Sequence, residues 1–337
     1  MKRTRIAING FGRIGRTFFR QAFGRPDAEI VAINDIASPE NLAYLLQYDT
    51  VYGRYEKAVA VREHALVVDD REIALIQEKD PGKLPWKDLA IDVVVESTGI
   101  FESHEKAAAH LKAGAKRVVI SAPAKDDLTP TATPGVNEAA LKDASVTSNA
   151  SCTTNATTPV LAVLVKEPGI RKAIASTVHG YTATQGLVDG PDRKGDFRRG
   201  RAAAMNIVPS STGAASAATK AVPELHGKFD GIAIRVPVIA GSLLDITFLA
   251  SRPTSPKEIN DIFRKAAAQK EWRGILAVTE EPLVSSDVLK NPHGSIVDLT
   301  MTRVVDGDLV KVLSWYDNEW GYGAMLLKHV LAAARLT

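Results

Sequence analysis

The chain has a single cysteine, Cys152, among 337 residues, and that scarcity excludes an internal disulfide. A reducing compartment suits such a chain, and a secretory one is not required. Long apolar runs are missing too: no stretch approaches the roughly 20 residues that span a bilayer. The start, Met1-Lys-Arg-Thr-Arg-Ile-Ala-Ile-Asn-Gly, is basic but lacks the apolar core of a signal peptide. The expectation is a cytoplasmic protein with no membrane association. Excess charge of one sign is absent as well. The 42 Lys and Arg against 39 Asp and Glu leave a net charge of +3. That allows anionic small ligands but supplies no basic stripe, so nucleic acid is not expected as the main partner. Internal repeats and low-complexity segments are lacking.

Core material is ample. Hydrophobic residues make up 45% and charged residues 24%, the balance of an ordinary globular chain. A length of 337 residues exceeds one compact domain, so two are expected. In residues 1–150, near-continuous apolar runs at 5–9 (RIAIN), 29–34 (EIVAIN), 91–96 (IDVVVE) and 117–121 (RVVIS) read as strands buried on both faces. Helical spacing at 14–23 and 104–113 separates them, and the alternation predicts a doubly wound, Rossmann-type α/β sheet. From about residue 151 the character changes. A helix over 153–166 leads into strands at 175–181, 231–238 and 242–250. A further pair at 296–304 and 309–315 flanks Asp306-Gly307, a strong hairpin signal, so this half should be α+β with a mostly antiparallel sheet. Residues 186–201 are polar and rich in Gly, Asp and Arg, and read as a long ordered loop. A last helix over 322–336 should pack back on a domain. The expected division is 1–150 with about 319–337, and 151–318.

Two constellations carry chemistry. Gly10-Phe-Gly12-Arg13-Ile14-Gly15 follows a predicted strand and opens a predicted helix. Gly10 would allow the tight turn, Gly12 the approach of a pyrophosphate to the backbone, and Gly15 close helix–strand packing. The pyrophosphate would rest at the helix N-terminus, where N–H groups and the dipole favour anions. Asp35 lies 20 residues after Gly15 at the end of the second strand. A carboxylate there accepts ribose hydroxyls and repels a 2′-phosphate, which favours NAD over NADP.

The second is Ser148-Asn-Ala-Ser151-Cys152-Thr153-Thr-Asn155, where a strand gives way to an apolar helix. A cysteine at a helix N-terminus feels the positive end of the dipole, which is expected to lower its pKa. Pro159 falls inside the helix and should bend it. A thiolate needs a base, and there are 7 histidines to choose from. His104 and His110 read as an exposed helix face. His64, His226 and His293 sit in turn-like polar contexts, and His329 is near the C-terminus. His179 ends a β-branched run beside a loop and is the best of these.

With these residues in place, the chain resembles the glyceraldehyde-3-phosphate dehydrogenase family over its whole length. The resemblance rests on AINGFGRIGR at the N-terminus, ESTGIF at 96–101, SNASCTTN around Cys152 and HGYTATQ at His179. It continues with RRGRAAAMNIVPSSTGAA at 198–215, RVPV at Arg235 and SWYDNEWGY at 314–322. It implies an NAD-dependent, phosphorylating aldehyde dehydrogenase that converts glyceraldehyde 3-phosphate and inorganic phosphate to 1,3-bisphosphoglycerate, with no metal. Cys152 would be the nucleophile and His179 the base. Arg13 and Ile14 would belong to the glycine turn, Asp35 to the ribose, Thr98 and Ser121 to the nicotinamide side, and Asn318 to the carboxamide. The substrate's phosphate would meet Thr182, Arg199 and Arg235. The attacking phosphate would meet Ser151, Thr153, Thr212 and Gly213, arginine forks and short hydroxyls being what a phosphate needs.

The resemblance also implies a homotetramer with the antiparallel sheets and the 186–201 loop at subunit contacts. Three departures stand out. Val238-Ile-Ala-Gly241-Ser242 replaces a common Thr-Pro-Asn-Val-Ser, Ala156 stands where many relatives carry a second cysteine, and Gly180 replaces Ser or Ala. The alternatives are erythrose-4-phosphate dehydrogenase, against which His179-Gly-Tyr-Thr182 speaks, and an NADP-preferring relative, against which Asp35 and Pro191 speak. A secondary role in binding RNA or a partner protein is a third.

Overall fold

The computed structural model describes residues 3–192 and 195–336. Arg193 and Lys194, part of the expected 186–201 loop, and Thr337, at the end of the expected last domain segment, lie outside the described residues. The chain forms two compact units, one running to Ser151 and resuming at Gly323, the other covering Cys152–Tyr322.

In chain order the first unit contains β1 (Thr4–Asn9), α1 (Arg13–Ala22), β2 (Ala28–Asn34), α2 (Pro39–Gln47), β3 (Val59–Arg62), β4 (Ala65–Val68) and β5 (Arg71–Ile76). It continues with β6 (Val93–Glu96), α3 (His104–Lys112), β7 (Arg117–Ile120) and β8 (Val146–Ser148). Among the described residues these strands make one eight-stranded sheet in the order β3-β4-β5-β2-β1-β6-β7-β8. From β5 to β8 every pairing is parallel. The apolar strands are buried on both faces: Ile6, Ile8, Val93, Val94, Val95, Val118 and Val119 have no exposed surface. This matches the expected doubly wound α/β class. The antiparallel meander of β3, β4 and β5 was not foreseen. Its strands are short and carry exposed polar positions, so they show no long apolar run.

Strand order fixes where a ligand can sit. β1 has β2 on one side and β6 on the other, so the chain's progress across the sheet reverses at β1. Open parallel sheets bind ligands outside the carboxyl ends of the strands at such a reversal. The loops there are the glycine turn after β1 and Ser97-Thr98-Gly99 after β6.

The second unit opens with α4 (Cys152–Lys166), β9 (Ile170–Gly180), β10 (Val208–Ser211), α5 (Ala214–Ala221), β11 (Phe229–Val236) and β12 (Ser242–Ala250). Then come α6 (Pro256–Ala267), β13 (Leu276–Thr279), β14 (Ser295–Val305), β15 (Leu309–Tyr316) and the start of α7 (Trp320–Ala334). Its seven-stranded sheet runs β10-β11-β9-β12-β15-β14-β13. Four of its pairings are antiparallel, while β11–β9 and β13–β14 are parallel. The mostly antiparallel expectation therefore holds. The β14–β15 hairpin turns at Asp306 and Gly307, which both take positive φ, 48° and 75°, as that turn chemistry requires. From Gly323 on, α7 packs on the first unit's α1. A Cβ on Gly323 would come within 2.6 Å of Gln21 Nε2.

Candidate active site

The glycine turn fits a dinucleotide pyrophosphate. Gly10 adopts φ +93°, and a Cβ there would lie 2.7 Å from the backbone of Ser97 and Thr98. A Cβ on Gly15 would lie 2.2 Å from the Gly10 carbonyl oxygen, so both positions require glycine for packing. Gly12 differs: it caps α1, no protein atom lies within 4 Å of an added Cβ, and no side chain caps the helix. That leaves room for close approach of an anion to backbone at a helix N-terminus. Asp35 accepts hydrogen bonds from the backbone N–H groups of Phe11, at 2.7 Å, and Ala37, at 3.0 Å. The carboxylate is thus locked against the turn, and each oxygen retains a lone pair for a ribose hydroxyl. Ile14 is half-buried in the first turn of α1. Arg13 pairs with Asp49 and stacks over the Tyr52 ring, so its side chain is committed within the protein. Ser121 follows β7, its N–H donating to the Glu96 carbonyl at 2.9 Å.

Beneath this surface lies a buried polar network that the sequence did not reveal. Glu96 Oε1 accepts the Thr98 N–H at 2.8 Å and the Thr98 hydroxyl. Its Oε2 accepts from Asn9 Nδ2 at 2.6 Å and lies 3.1 Å from His110 Nε2. The Trp86 indole N–H donates to His110 Nδ1 at 2.9 Å, which leaves the ring proton on Nε2, facing Glu96. His110 is wholly buried, correcting the exposed helix face expected for it. Neighbouring alanines and a lysine give α3 the look of a surface helix, but His110 is turned inward to meet these two partners.

In the second unit, Cys152 is the first residue of α4. Its Sγ lies 3.3 Å from His179 Nε2. His179 is at the end of β9, 2% exposed, and its Nδ1 is 2.6 Å from both the Gly180 carbonyl oxygen and Arg235 Nη1. Sheet register creates this cluster, because Arg235 of β11 pairs directly with His179 of β9. The tautomer a base requires has Nδ1–H donating to this carbonyl and Nε2 as acceptor; Arg235 Nη1, which can only donate, reaches the same carbonyl at 3.1 Å. Desolvation, with the Arg235 charge second, lowers the His179 pKa to about 3. The ring is therefore neutral at rest.

The thiol departs from expectation. Cys152 keeps some exposed surface, but removal of water from around the sulfur raises its pKa, and the Arg235 guanidinium only partly offsets this. Desolvation outweighs the helix end. The resting pair is a thiol beside a neutral imidazole, one proton transfer from an ion pair.

The expected phosphate ligands occupy several places. Desolvation lowers the Arg235 pKa, and the Arg199 charge adds to the effect; Arg199 itself is paired with Asp196 at 3.3 Å. Arg199 donates from Nε and Nη2 to Ser210 Oγ at 2.9 and 2.7 Å. Thr212 and Gly213 form the entry to α5, where Thr212 Oγ1 accepts the Ala214 N–H at 3.1 Å. Thr182 follows β9 and shares a 2.9 Å hydrogen bond with Thr184. Thr153 is buried, its hydroxyl 3.0 Å from Tyr316 Oη, which in turn lies 2.7 Å from Thr177 Oγ1. Ser151 closes the first unit just before Cys152.

Comparison with known proteins decides the family. A family model described as glyceraldehyde 3-phosphate dehydrogenase, NAD binding domain, matches residues 4–104, and its C-terminal domain counterpart matches 151–318. Glyceraldehyde-3-phosphate dehydrogenase B of Aspergillus oryzae is 47% identical over 324 residues, 96% of each chain. The enzymes of Zymomonas mobilis, at 47% over 321 residues, and Borreliella burgdorferi, at 48% over 330, are similar over 94% and 96% of this chain and 95% and 97% of their own. The chain belongs to the glyceraldehyde-3-phosphate dehydrogenase family. It is an NAD-dependent oxidoreductase.

Within this family member, two departures noted in the sequence meet in space. A Cβ on Gly180 would lie 2.9 Å from the Val238 carbonyl oxygen and 3.4 Å from Ala240. The altered segment at 238–241 and the glycine after His179 are one packing solution. Asn318, expected at the carboxamide, is 4% exposed, and its Oδ1 accepts from the Gly241 N–H and the Ser242 hydroxyl, both at 3.0 Å. The sequence reading overlooked Tyr316 and Ser242. Tyr316 sits in the quoted SWYDN segment, and Ser242 opens a strand of otherwise alternating apolar residues, so only the folded register shows what either one meets. Among the described residues no helix is long and apolar enough to cross a membrane.

Proposed function

We propose that this protein oxidises D-glyceraldehyde 3-phosphate, with NAD and inorganic phosphate, to 1,3-bisphosphoglycerate through a thioester on Cys152. The 3.3 Å approach of Cys152 Sγ to His179 Nε2, with Arg235 on the adjoining strand, carries this reading. His179 takes the thiol proton as the sulfur forms its bond to the aldehyde carbon, giving a thiohemiacetal. The imidazolium then stabilises the new oxyanion and, once it has lost its proton, accepts the hydroxyl proton as the carbonyl re-forms. NAD, when bound, supplies the acceptor for the hydride leaving that carbon. Phosphate attacks the resulting thioester carbonyl, the C–S bond breaks, and the thiolate is regenerated.

Arg235, Arg199 and Thr182 hold the substrate's phosphate in this scheme, while Ser151, Thr153, Thr212 and Gly213 serve the attacking phosphate. Gly10, Gly12, Arg13, Ile14, Gly15, Asp35, Thr98, Ser121 and Asn318 hold NAD. Residues 1–150 with 319–337 act as the NAD-binding domain and 151–318 as the catalytic domain. Exposed Leu187, Val188, Phe197, Met205 and Ile207 support association of copies through the 186–207 region, as a homotetramer. A free thiol nucleophile is consistent with the reducing cytoplasm.

Cys152→Ser tests the reading. NADH formation with glyceraldehyde 3-phosphate and phosphate is expected to fall by about 10⁴-fold or more, and stoichiometric iodoacetamide labelling to be lost. Near-normal turnover in the variant would sink the nucleophile assignment.

A further inference from the structure

We infer that Ser242 is a positioning residue that sets the direction in which Asn318 presents its amide to the cofactor and ties that amide to the strand end carrying the catalytic base. The inference rests on the reading of Asn318 as the carboxamide ligand.

Ser242 is 1% exposed at the first position of β12. Its Oγ accepts the backbone N–H of Gly180 at 3.3 Å and donates to Asn318 Oδ1 at 3.0 Å. The direction of this relay is forced. A backbone N–H can only donate, so the Gly180 contact occupies one of the two lone pairs of Oγ, and the hydroxyl proton is free for an acceptor on Asn318. The Gly241 N–H points at the same amide atom, at 3.0 Å, and it too can only donate. The Gly241 N–H therefore identifies that atom as oxygen, the Ser242 hydroxyl must donate to it, and the Asn318 NH2 faces the other way. An asparagine amide that can rotate by 180° offers a ligand either a donor or an acceptor; this one offers a donor only.

The surrounding backbone maintains the relay. Gly241 holds φ +87°, and a Cβ there would meet the Ser285 carbonyl oxygen at 2.4 Å, so its N–H stays aimed at Asn318. Gly180 lies one residue after His179, whose Nδ1 is 2.6 Å from the Gly180 carbonyl. One hydroxyl thus joins Gly180, the residue whose carbonyl faces the base, to the amide that orients the nicotinamide. The ligand chemistry selected is a carbonyl acceptor, the oxygen of the carboxamide rather than its nitrogen.

The test is a double-mutant cycle on the intact protein, read by NAD titration of protein fluorescence as well as by steady-state kinetics. Ser242→Ala should weaken NAD binding and raise its KM by about three- to thirtyfold, the range for one lost hydrogen bond, with a smaller change in the KM for glyceraldehyde 3-phosphate. In an Asn318→Ala background the same substitution should add almost nothing, since groups acting through one another are not additive. Ser242→Cys, which keeps the side chain's size and weakens both contacts, should give an intermediate value. It also covers the case in which the alanine variant folds poorly. Equal effects of Ser242→Ala in both backgrounds, or none in either, overturn the role of Ser242 alone. Normal NAD binding by Asn318→Ala overturns the reading of Asn318 and this inference with it.

Discussion

The two units build their sites from different materials. In the first, the site is backbone: three glycines, a helix start and a carboxylate that braces the turn, all within residues 10–35 apart from the Ser97-Thr98 loop. In the second, the site is side chains brought from far apart in sequence. Cys152 and His179 are separated by 27 residues, and His179 and Arg235 by 56. A backbone site needs only local conformation, which a short motif specifies. A side-chain site needs strand register, because a shift of one residue would turn Arg235 to the opposite face of the sheet. Damage to the first should therefore appear in cofactor binding or stability, and damage to the second in the chemical step.

The largest effect that separates them is expected from His179→Asn. Removing the proposed base should lower turnover by about 10²–10⁴-fold and slow iodoacetamide labelling of Cys152. NAD affinity, assigned in the proposed function to the glycine turn and Asp35, should change little. Loss of NAD affinity equal to the loss of turnover would show that the two sites are not separable in this way.

That division also describes how much could be read from the sequence. The tight glycine turn, the place of Asp35 against it, the helix start near Cys152 and the parallel and antiparallel sheet classes were legible because each rests on contiguous residues or a fixed period. His179 was only the best of several histidines until its distance to Cys152 was known. His110 was misjudged because nothing local signals Glu96 and Trp86 as its partners. The thiol was misjudged for a related reason. A helix start can be read from sequence, whereas the desolvation that outweighs it depends on everything packed around the sulfur.

A smaller effect should split the glycine turn itself. Gly15→Ala places a Cβ 2.2 Å from the Gly10 carbonyl oxygen, so strand and helix must separate, at a cost of about 1–3 kcal/mol. A fall in thermal midpoint of several degrees is the expected readout. Gly12→Ala meets no protein atom within 4 Å and should leave the thermal midpoint of the free protein almost unchanged. Its NAD dissociation constant should rise, about tenfold if the methyl displaces one backbone contact to the pyrophosphate. Tight NAD binding by Gly12→Ala would remove the close-approach role from this glycine.

The smallest predicted effect compares the units through a buried histidine in each. His329 of α7 is wholly enclosed in the first unit, with Nε2 2.8 Å from Thr147 Oγ1 and Nδ1 3.1 Å from the Ala132 carbonyl oxygen. Desolvation lowers its pKa to about 4, as it lowers that of His179 to about 3 in the second unit. The unfolded chain, with histidines near 6.5, binds more protons than the folded one between those values, so stability rises with pH across that window. The contribution is complete above about pH 6.5 and is lost as pH falls towards 4. Between pH 6.5 and 5.5, where most carboxylates stay ionised in both states, each histidine should account for about 1 kcal/mol of lost stability. Denaturant unfolding of His329→Gln at these two pH values should show a lower starting stability but a shallower decline, by about that amount. His179→Gln should flatten the decline in the second unit instead. An undiminished pH dependence in His329→Gln would mean that His329 takes up its proton within the folded protein, and that the helix closing the first unit tolerates a charge that His179 of the second unit does not.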